Sequence, residues 1–252
     1  MWKNKELLDF YRHEFDFRQY KTDYEDWLKA FEKSVERRKE GKLFIGMSSG
    51  YDSGALTKEL LKQNADFKAY IMYNHENKSI INERLKYLPN HEIASMSKEL
   101  WNQYYDFLKD KINPLAMRDK ASMGVAYTFE TAAKEGRTIC ISGQGGDEII
   151  SDYAKFPNQN TFKGKFPERL FEWLNFRSGM QFEYLNEIED IAALYGIEVR
   201  YPFLDVDLVQ EYLWLSADLK NKNYKAPLFE YLTRNQVPFE EGIKRGFQPI
   251  RK

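Results

Sequence analysis

The segment Leu43-Phe44-Ile45-Gly46-Met47-Ser48-Ser49-Gly50-Tyr51-Asp52-Ser53 decides how this chain folds. Its first five residues form a short apolar run, which reads as a buried strand. A loop of glycine and small hydroxyl residues follows, and Ala55, Leu56 and Leu60 then repeat as one face of a helix. The same unit recurs downstream. Residues 67–73 read as a second strand, 80–88 as a helix, and 101–112 as a helix with Tyr104, Tyr105, Leu108 and Ile112 on one side. Val125, Phe129 and Ala133 mark another helix, stopped by Gly136, and Thr138-Ile139-Cys140-Ile141 is a third strand. Strands alternating with helices predict an α/β fold, a parallel, Rossmann-like sheet with helices on both faces.

Helical segments are expected on either side. Residues 1–41 read as an N-terminal helical extension: Leu7, Leu8 and Tyr11 have helical spacing, and 24–38 forms a second helix carrying Trp27, Leu28 and Phe31 before Gly41 ends it. Past residue 150 the strands are expected to stop. A polar loop over 156–164 leads to helices at 170–173 and 184–195. Arg200-Tyr201-Pro202-Phe203-Leu204-Asp205 then precedes an apolar helix through Leu208, Tyr212 and Leu215, and 228–233 forms the last helix. The expected organisation is the extension followed by one domain over 42–252, α/β to about residue 150 and helical over 151–252.

Composition narrows the class. The 38 Lys and Arg against 39 Asp and Glu, in 252 residues, leave a net charge of -1, which argues against an obligate nucleic-acid or membrane-surface binder. Aromatic residues at 16% exclude a disordered chain. A single cysteine, Cys140, excludes an internal disulfide framework and any cysteine-cluster metal site, and the three histidines lack metal-ligand spacing. No apolar run approaches the ~18 residues of a membrane span. A cytoplasmic protein is expected.

Two loops carry the chemistry. In Ser48–Ser53, glycine and serine let the backbone close around an anion while the helix start adds N–H donors. An aspartate there suits an anion site when a cation lies between, so Asp52 implies Mg²⁺. The same residues also fit an ordinary strand-to-helix turn capped by Ser53. The second loop, Ser142-Gly143-Gln144-Gly145-Gly146-Asp147-Glu148, follows the third strand. In parallel sheets ligands collect at the carboxyl ends of strands, so both loops are expected on one rim, with Asp52 and Asp147 sharing one Mg²⁺.

These motifs resemble a family. Ser-Ser-Gly-Tyr-Asp-Ser is similar to the ATP-pyrophosphatase loop Ser-Gly-Gly-x-Asp-Ser, and Ser-Gly-Gln-Gly-Gly-Asp-Glu to the Ser-Gly-Glu-Gly-x-Asp-Glu loop of the asparagine synthetase family. Glu198 to Asp205, Lys225 and Lys244-Arg245-Gly246-Phe247 resemble further motifs of that family, in its order, over roughly residues 42 to 250. The resemblance implies the ATP-pyrophosphatase fold and an ATP-dependent ligase. A substrate carboxylate, on a small molecule or peptide, is adenylated with release of Mg-pyrophosphate; ammonia or an amine then displaces AMP. It implies that Ser48, Ser49, Gly50 and Ser53 hold pyrophosphate, that Asp52 and Asp147 bind Mg²⁺, and that Gly46, Ser142 and Gly143 line the AMP site. Met72 and Tyr73 face adenine in this reading. Lys244 stabilises phosphate charge, and Lys225 either touches pyrophosphate or caps a helix. Glu198 and Arg200 are expected as a buried supporting pair.

Three departures from the family pattern stand out. Ser49 replaces a glycine. Gln144 stands where asparagine synthetases carry Glu and β-lactam-forming enzymes Tyr; Gln accepts no proton at neutral pH, so its expected role among the catalytic residues is orientation. No counterpart of the family's glutaminase domain, with its N-terminal cysteine nucleophile, is expected here, and Cys140 sits in a predicted core strand. The expected nitrogen source is therefore free ammonia, an amine, or a separate glutaminase subunit. Two alternatives remain open: an ATP-pyrophosphatase that modifies a nucleic-acid base, and a retired nucleotide-binding paralogue. Tyr51, Tyr153 and Tyr201 are candidates for the acceptor pocket.

Overall fold

A computed structural model describes residues 2–3, 6–7, 13–113, 121–154, 159–245, 247 and 249. Leu8, Tyr11, residues 156–158 and Gly246, all used in the sequence reading, lie outside these, as do Arg251 and Lys252. In chain order the elements are β1 (Trp2–Lys3), β2 (Glu6–Leu7), α1 (Glu25–Glu36), β3 (Leu43–Gly46), α2 (Tyr51–Lys62), β4 (Phe67–Met72), α3 (Lys78–Leu85), β5 (His91–Ala94), α4 (Lys98–Leu108), α5 (Ala121–Lys134) and β6 (Ile139–Ile141). After these come α6 (Gly146–Ile150), α7 (Leu174–Arg177), α8 (Gly179–Tyr195), β7 (Glu198–Arg200), α9 (Val206–Trp214), α10 (Ala217–Asn221) and α11 (Ala226–Arg234).

The main sheet has five parallel strands in the order β5-β4-β3-β6-β7. The chain starts in the middle at β3, builds outward through β4 to β5, then returns to the other side of β3 and builds outward again. The direction of winding therefore reverses between β3 and β6, and at such a point the loops leaving neighbouring strands part to open a crevice at their carboxyl ends.

Successive strand residues point to opposite faces, and the two faces are covered by different helices. On one, Leu43, Ile45, Met47, Ala69, Ile71 and Ile141 pack with residues of α1, α2, α9 and α11. On the other, Phe44, Tyr70, Met72 and Cys140 pack with α4, α5 and α8. Helix α1 belongs to the first of these cores: Trp27 stacks on Phe31, and Phe31 on Phe203, at 5.6 Å each.

The structure departs from three sequence expectations and adds one strand. Leu7 lies in the antiparallel β1–β2 pair, not in a helix; three apolar residues over five positions are too short a window to fix a period. Strands do not stop at 150, because β7 pairs with β6. The edge strand β5 escaped the sequence reading altogether; its alternating half-buried and exposed residues include no apolar run. Residues 170–173 are not helical. Their aromatic side chains serve a tertiary cluster instead, in which Trp173 packs on Phe162, Phe166 and Phe176.

Asp205 ties the start of α9 to the end of α1. It is 4% exposed, caps α9 by accepting the Asp207 N–H (3.1 Å), and binds Arg38 (2.6 Å) and Arg37 (3.0 Å) beyond the end of α1. Burial pushes its carboxyl up, and the two arginines outweigh this and hold it below the usual range. A carboxylate depressed in the folded state contributes stability above its unfolded value, and that stability is lost as pH falls through the folded value. Asp205→Asn is expected to cost about 2 kcal/mol in denaturant unfolding at pH 7, with the deficit shrinking below about pH 4.

Candidate functional site

The two loops that leave β3 and β6 meet at the reversal point. Helix α2 starts at Tyr51 with Gly50 as its N-cap, so Ser53 is inside the first turn and not the cap. Its hydroxyl instead closes the loop, lying 2.8 Å from Ser48 Oγ and accepting the Ser48 N–H at 3.0 Å. Ser48 Oγ accepts the Gly50 N–H at 3.1 Å. The second loop fits against the first only because Gly146 has no side chain: a Cβ there would lie 2.5 Å from Asp52 Oδ1.

Four charged side chains converge here, from positions scattered between residues 52 and 244. Lys225 Nζ donates to both oxygens of Asp52 (2.6 Å each) and lies 2.9 Å from Asp147 Oδ1. Lys244 Nζ lies 2.9 Å from Asp147 Oδ2. The Tyr224 hydroxyl donates to Asp147 at 3.2 Å. Lys225 is 3% exposed and is held at φ +50°, in the left-handed region, at the start of α11. A bulky residue in that region costs conformational energy, and such strain concentrates at functional sites.

Burial works against the charge of Lys225, but Asp147 and Asp52 overcome it and hold the ammonium well above its ordinary range. Asp147 faces two cations. Lys225 and Lys244 outweigh its burial and hold it below the usual carboxylate range. Asp52 shares only the first of these closely, and burial, helped by the Asp147 charge, leaves it raised. Asp147 is thus the firmly ionised member and Asp52 the one more easily protonated.

A supporting layer lies beneath. The Tyr153 ring sits 4.0 Å from Lys244 Nζ, a cation–π distance. Its hydroxyl donates to Glu148 (2.6 Å), which is 1% exposed and also accepts the Gly145 N–H (2.9 Å). Tyr153 and the preceding Asp152 both have positive φ.

Of the residues singled out in the sequence, Ser48, Gly50, Asp52, Ser53, Ser142, Gly143, Asp147, Lys225 and Lys244 lie on or against these two loops. Gly46 is exposed at the end of β3, where a Cβ would meet nothing within 4 Å. Ser49 is buried and tied to Glu76. Gln144 is half-buried, and its backbone N–H donates to Ser142 Oγ (3.2 Å). Met72 and Tyr73 do not present a common surface. Met72 is buried in the second core, and Tyr73 packs against the first with its hydroxyl on Asn82 (3.3 Å). Neighbouring residues at a strand end face opposite ways.

Other candidates take structural roles. Tyr51 is buried between Tyr224 and Phe239 and accepts the Gly242 N–H (3.0 Å). Tyr201 donates to Glu189 (2.5 Å). Arg200 pairs with Glu198 (2.6 Å), yet Glu198 is exposed, so the pair is not buried; the Arg200 fork also donates to the Arg38 and Glu40 carbonyls. Cys140 is buried with its thiol pushed up by desolvation, as befits a packing residue. Sequence reasoning missed Tyr224, Glu76 and Arg84; no motif marks them.

The chain is 25% identical over 210 residues to a curated protein of Methanocaldococcus jannaschii named "Putative asparagine synthetase (glutamine-hydrolyzing) 1", a match covering 81% of this chain. The chain spans 38% of the length of that relative. Among solved structures it resembles NMN synthetase from Francisella tularensis with a TM-score of 0.37 and 13% identity, covering 88% of this chain and 99% of that one. No protein-family profile matches the chain. Among the described residues, no helix is long and apolar enough to cross a membrane.

Asp147→Asn removes the ionised partner of two lysines and is expected to lower stability by about 3 kcal/mol at pH 7. The depressed carboxyl gives its stability above the unfolded value near 3.9, so the deficit should close as pH falls below about 4. Asp52, raised in the folded state, works in the opposite direction, and Asp52→Asn should cost markedly less at pH 7. Denaturant unfolding of both variants at pH 7 and pH 3.5 checks the order.

Proposed function

We propose that this protein is an ATP-dependent ligase that activates a carboxylate as an acyl-adenylate and passes the acyl group to ammonia or a primary amine. The observation that carries this reading is the meeting of Asp52, Asp147, Lys225 and Lys244 where the two Gly/Ser loops open at the winding reversal. The asparagine synthetase name of the Methanocaldococcus relative supports the class; the substrates belong to this proposal.

In the first half-reaction a carboxylate oxygen bonds to the α-phosphorus of ATP, and the bond from that phosphorus to the bridging oxygen breaks to release pyrophosphate. In the second, the nitrogen bonds to the acyl carbon, the carbon–oxygen bond to AMP breaks, and the nitrogen loses a proton. Asp52 and Asp147 fit a hard divalent cation: their oxygens already converge on one cationic centre, the Lys225 ammonium, within 2.9 Å. Asp52 and Asp147 would hold Mg²⁺, which would neutralise charge on the departing pyrophosphate. Lys225, held between the same carboxylates, neutralises them and would become a donor to a phosphate oxygen if the metal took its place.

Lys244 is less buried, at 12% side-chain exposure, and is kept in place from below by the Tyr153 ring. It contributes a fixed positive charge where negative charge develops. The Ser48–Ser53 loop supplies the donors for pyrophosphate. Gly46, Ser142 and Gly143 form the approach for the nucleotide, which any contact at Met72 and Tyr73 meets through backbone atoms. Gln144 orients the acceptor by hydrogen bonding and takes no proton, so the proton released by the amine passes to another group or to solvent.

ATP–pyrophosphate exchange with a panel of carboxylates, in the presence of Mg²⁺, tests this reading. Exchange should depend on one class of carboxylate and fall about 10²–10³-fold in Lys244→Ala, with a comparable loss in Asp52→Ala. Exchange that requires RNA instead of a carboxylate would favour base modification. Absence of ATP binding would refute the ligase.

A further inference from the structure

The underside of the Ser48–Ser53 loop holds a charge that neither the sequence motifs nor the proposed reaction assigns. Arg84, on α3, is 1% exposed and ranks among the largest fully buried side chains. Its fork ends on three backbone carbonyls: Nη1 donates to Ser48 O and Gly50 O, while Nε (3.0 Å) and Nη2 (2.7 Å) both donate to Pro238 O. No carboxylate takes a hydrogen bond or an ion pair from it among the described residues. Gly54 makes the room, since a Cβ there would lie 2.4 Å from Arg84 Nη2. Burial pushes the guanidinium down to about 10, still well above neutral pH, so it carries its full charge.

Burying a cation whose hydrogen bonds all go to neutral carbonyls, with no carboxylate in direct contact, costs several kcal/mol. Its placement does make sense for a bound anion. The Ser48 and Gly50 carbonyls belong to the same peptide units as the Ser49 and Tyr51 N–H groups. A cation on the oxygen side of a peptide polarises it and strengthens the donor on the other side. Through Pro238 the same fork also ties the loop to the segment that carries Lys244.

The other half of the device is Glu76, in the turn before α3. One of its oxygens accepts both the Ser49 N–H and the Ser49 hydroxyl at 2.5 Å, and Ser49 Oγ in turn accepts the Asn77 N–H at 3.1 Å. Glu76 also acts on Arg84 through space. A carboxylate thus occupies the N–H and hydroxyl donors of Ser49, and the serine that departs from the glycine of the related loop is the residue that receives it.

We infer that Arg84 and Glu76 are a paired charge device for the anion loop: Arg84 is a buried positioning residue whose charge a bound pyrophosphate neutralises, and Glu76 is an internal carboxylate that holds the Ser49 donors and yields them to that pyrophosphate. This inference rests on the ligase reading. It requires opposite effects from removing the two charges, which a structural role for both residues does not produce.

The test is calorimetric titration of inorganic pyrophosphate with Mg²⁺ into the full chain and into Arg84→Lys, Arg84→Gln and Glu76→Gln, with adenosine as an uncharged control and thermal unfolding of each protein without ligand. Glu76→Gln should bind pyrophosphate several-fold tighter than the native chain. Arg84→Gln should bind it about tenfold more weakly, equivalent to 1.4 kcal/mol, and Arg84→Lys should recover most of that loss. Adenosine affinity should not change. Weaker or unchanged pyrophosphate binding in Glu76→Gln overturns the inference even if Arg84→Gln fails to fold. Parallel losses of pyrophosphate and adenosine affinity in the Arg84 variants overturn it as well. A native chain that binds pyrophosphate normally while the variants miss this pattern leaves the ligase standing; a native chain that binds neither ATP nor pyrophosphate refutes both.

Discussion

A buried ammonium, that of Lys225, holds two neighbouring strands' loops together through the carboxylates of Asp52 and Asp147. Without a cation at that point, two carboxylates of like charge would face each other at a winding reversal, and the loops would part or one acid would take up a proton. The surrounding covalent structure is arranged to deliver it. The left-handed backbone of Lys225, followed by Ala226 and Pro227, aims the side chain back over the sheet, and the bare Gly146 lets Asp52 approach. A pair so buried contributes little net stability, because desolvation consumes most of the Coulombic gain. Its value lies in fixing charges at a rim that water reaches.

Stability comes from elsewhere. The aromatic layer of Trp27, Phe31, Phe203 and Tyr231 packs α1 against α11 and the turn before α9, on the face of the sheet that also carries α2. Phe203 and Leu204 in turn lie against Gly145 and Gly146 of the second loop. The Pro202-Phe203-Leu204-Asp205 run is therefore a floor beneath the site. Its phenylalanine packs, its aspartate caps a helix, and neither reaches the rim. This explains how a motif can accompany a site without touching a ligand.

Much of the frame was legible in the sequence because it is local. Leu43 to Ile45, Ala69 to Met72 and Cys140-Ile141 are buried on both faces and so read as short apolar strands, and glycines and serines after the first and third mark loops at strand ends. What failed to show had physical reasons. Strands β5 and β7 are sheet edges of four and three residues with half-exposed side chains, so they carry no apolar run. The Asp52–Lys225 contact spans 173 residues and has no local signature. Arg84 sits in Asn82-Glu83-Arg84-Leu85-Lys86, a stretch that reads as a solvated helix face; only the tertiary structure reveals that its middle residue points inward.

Charge balance connects these layers. Asp52, Asp147, Lys225 and Lys244 sum to zero, as do Arg84 and Glu76, so the site is electrostatically quiet in a chain whose own net charge is -1. A polyphosphate entering a neutral site gains nothing from the overall field and must rely on rearranging charges already present. In the proposed reaction Lys225 would shift from its carboxylates to a phosphate oxygen as Mg²⁺ took its place, and Glu76 would release the Ser49 donors to pyrophosphate. Both shifts would expose positive charge that is internally compensated, at the loop proposed to receive the anion. Such a site would favour a ligand already carrying its own cation over bare phosphate.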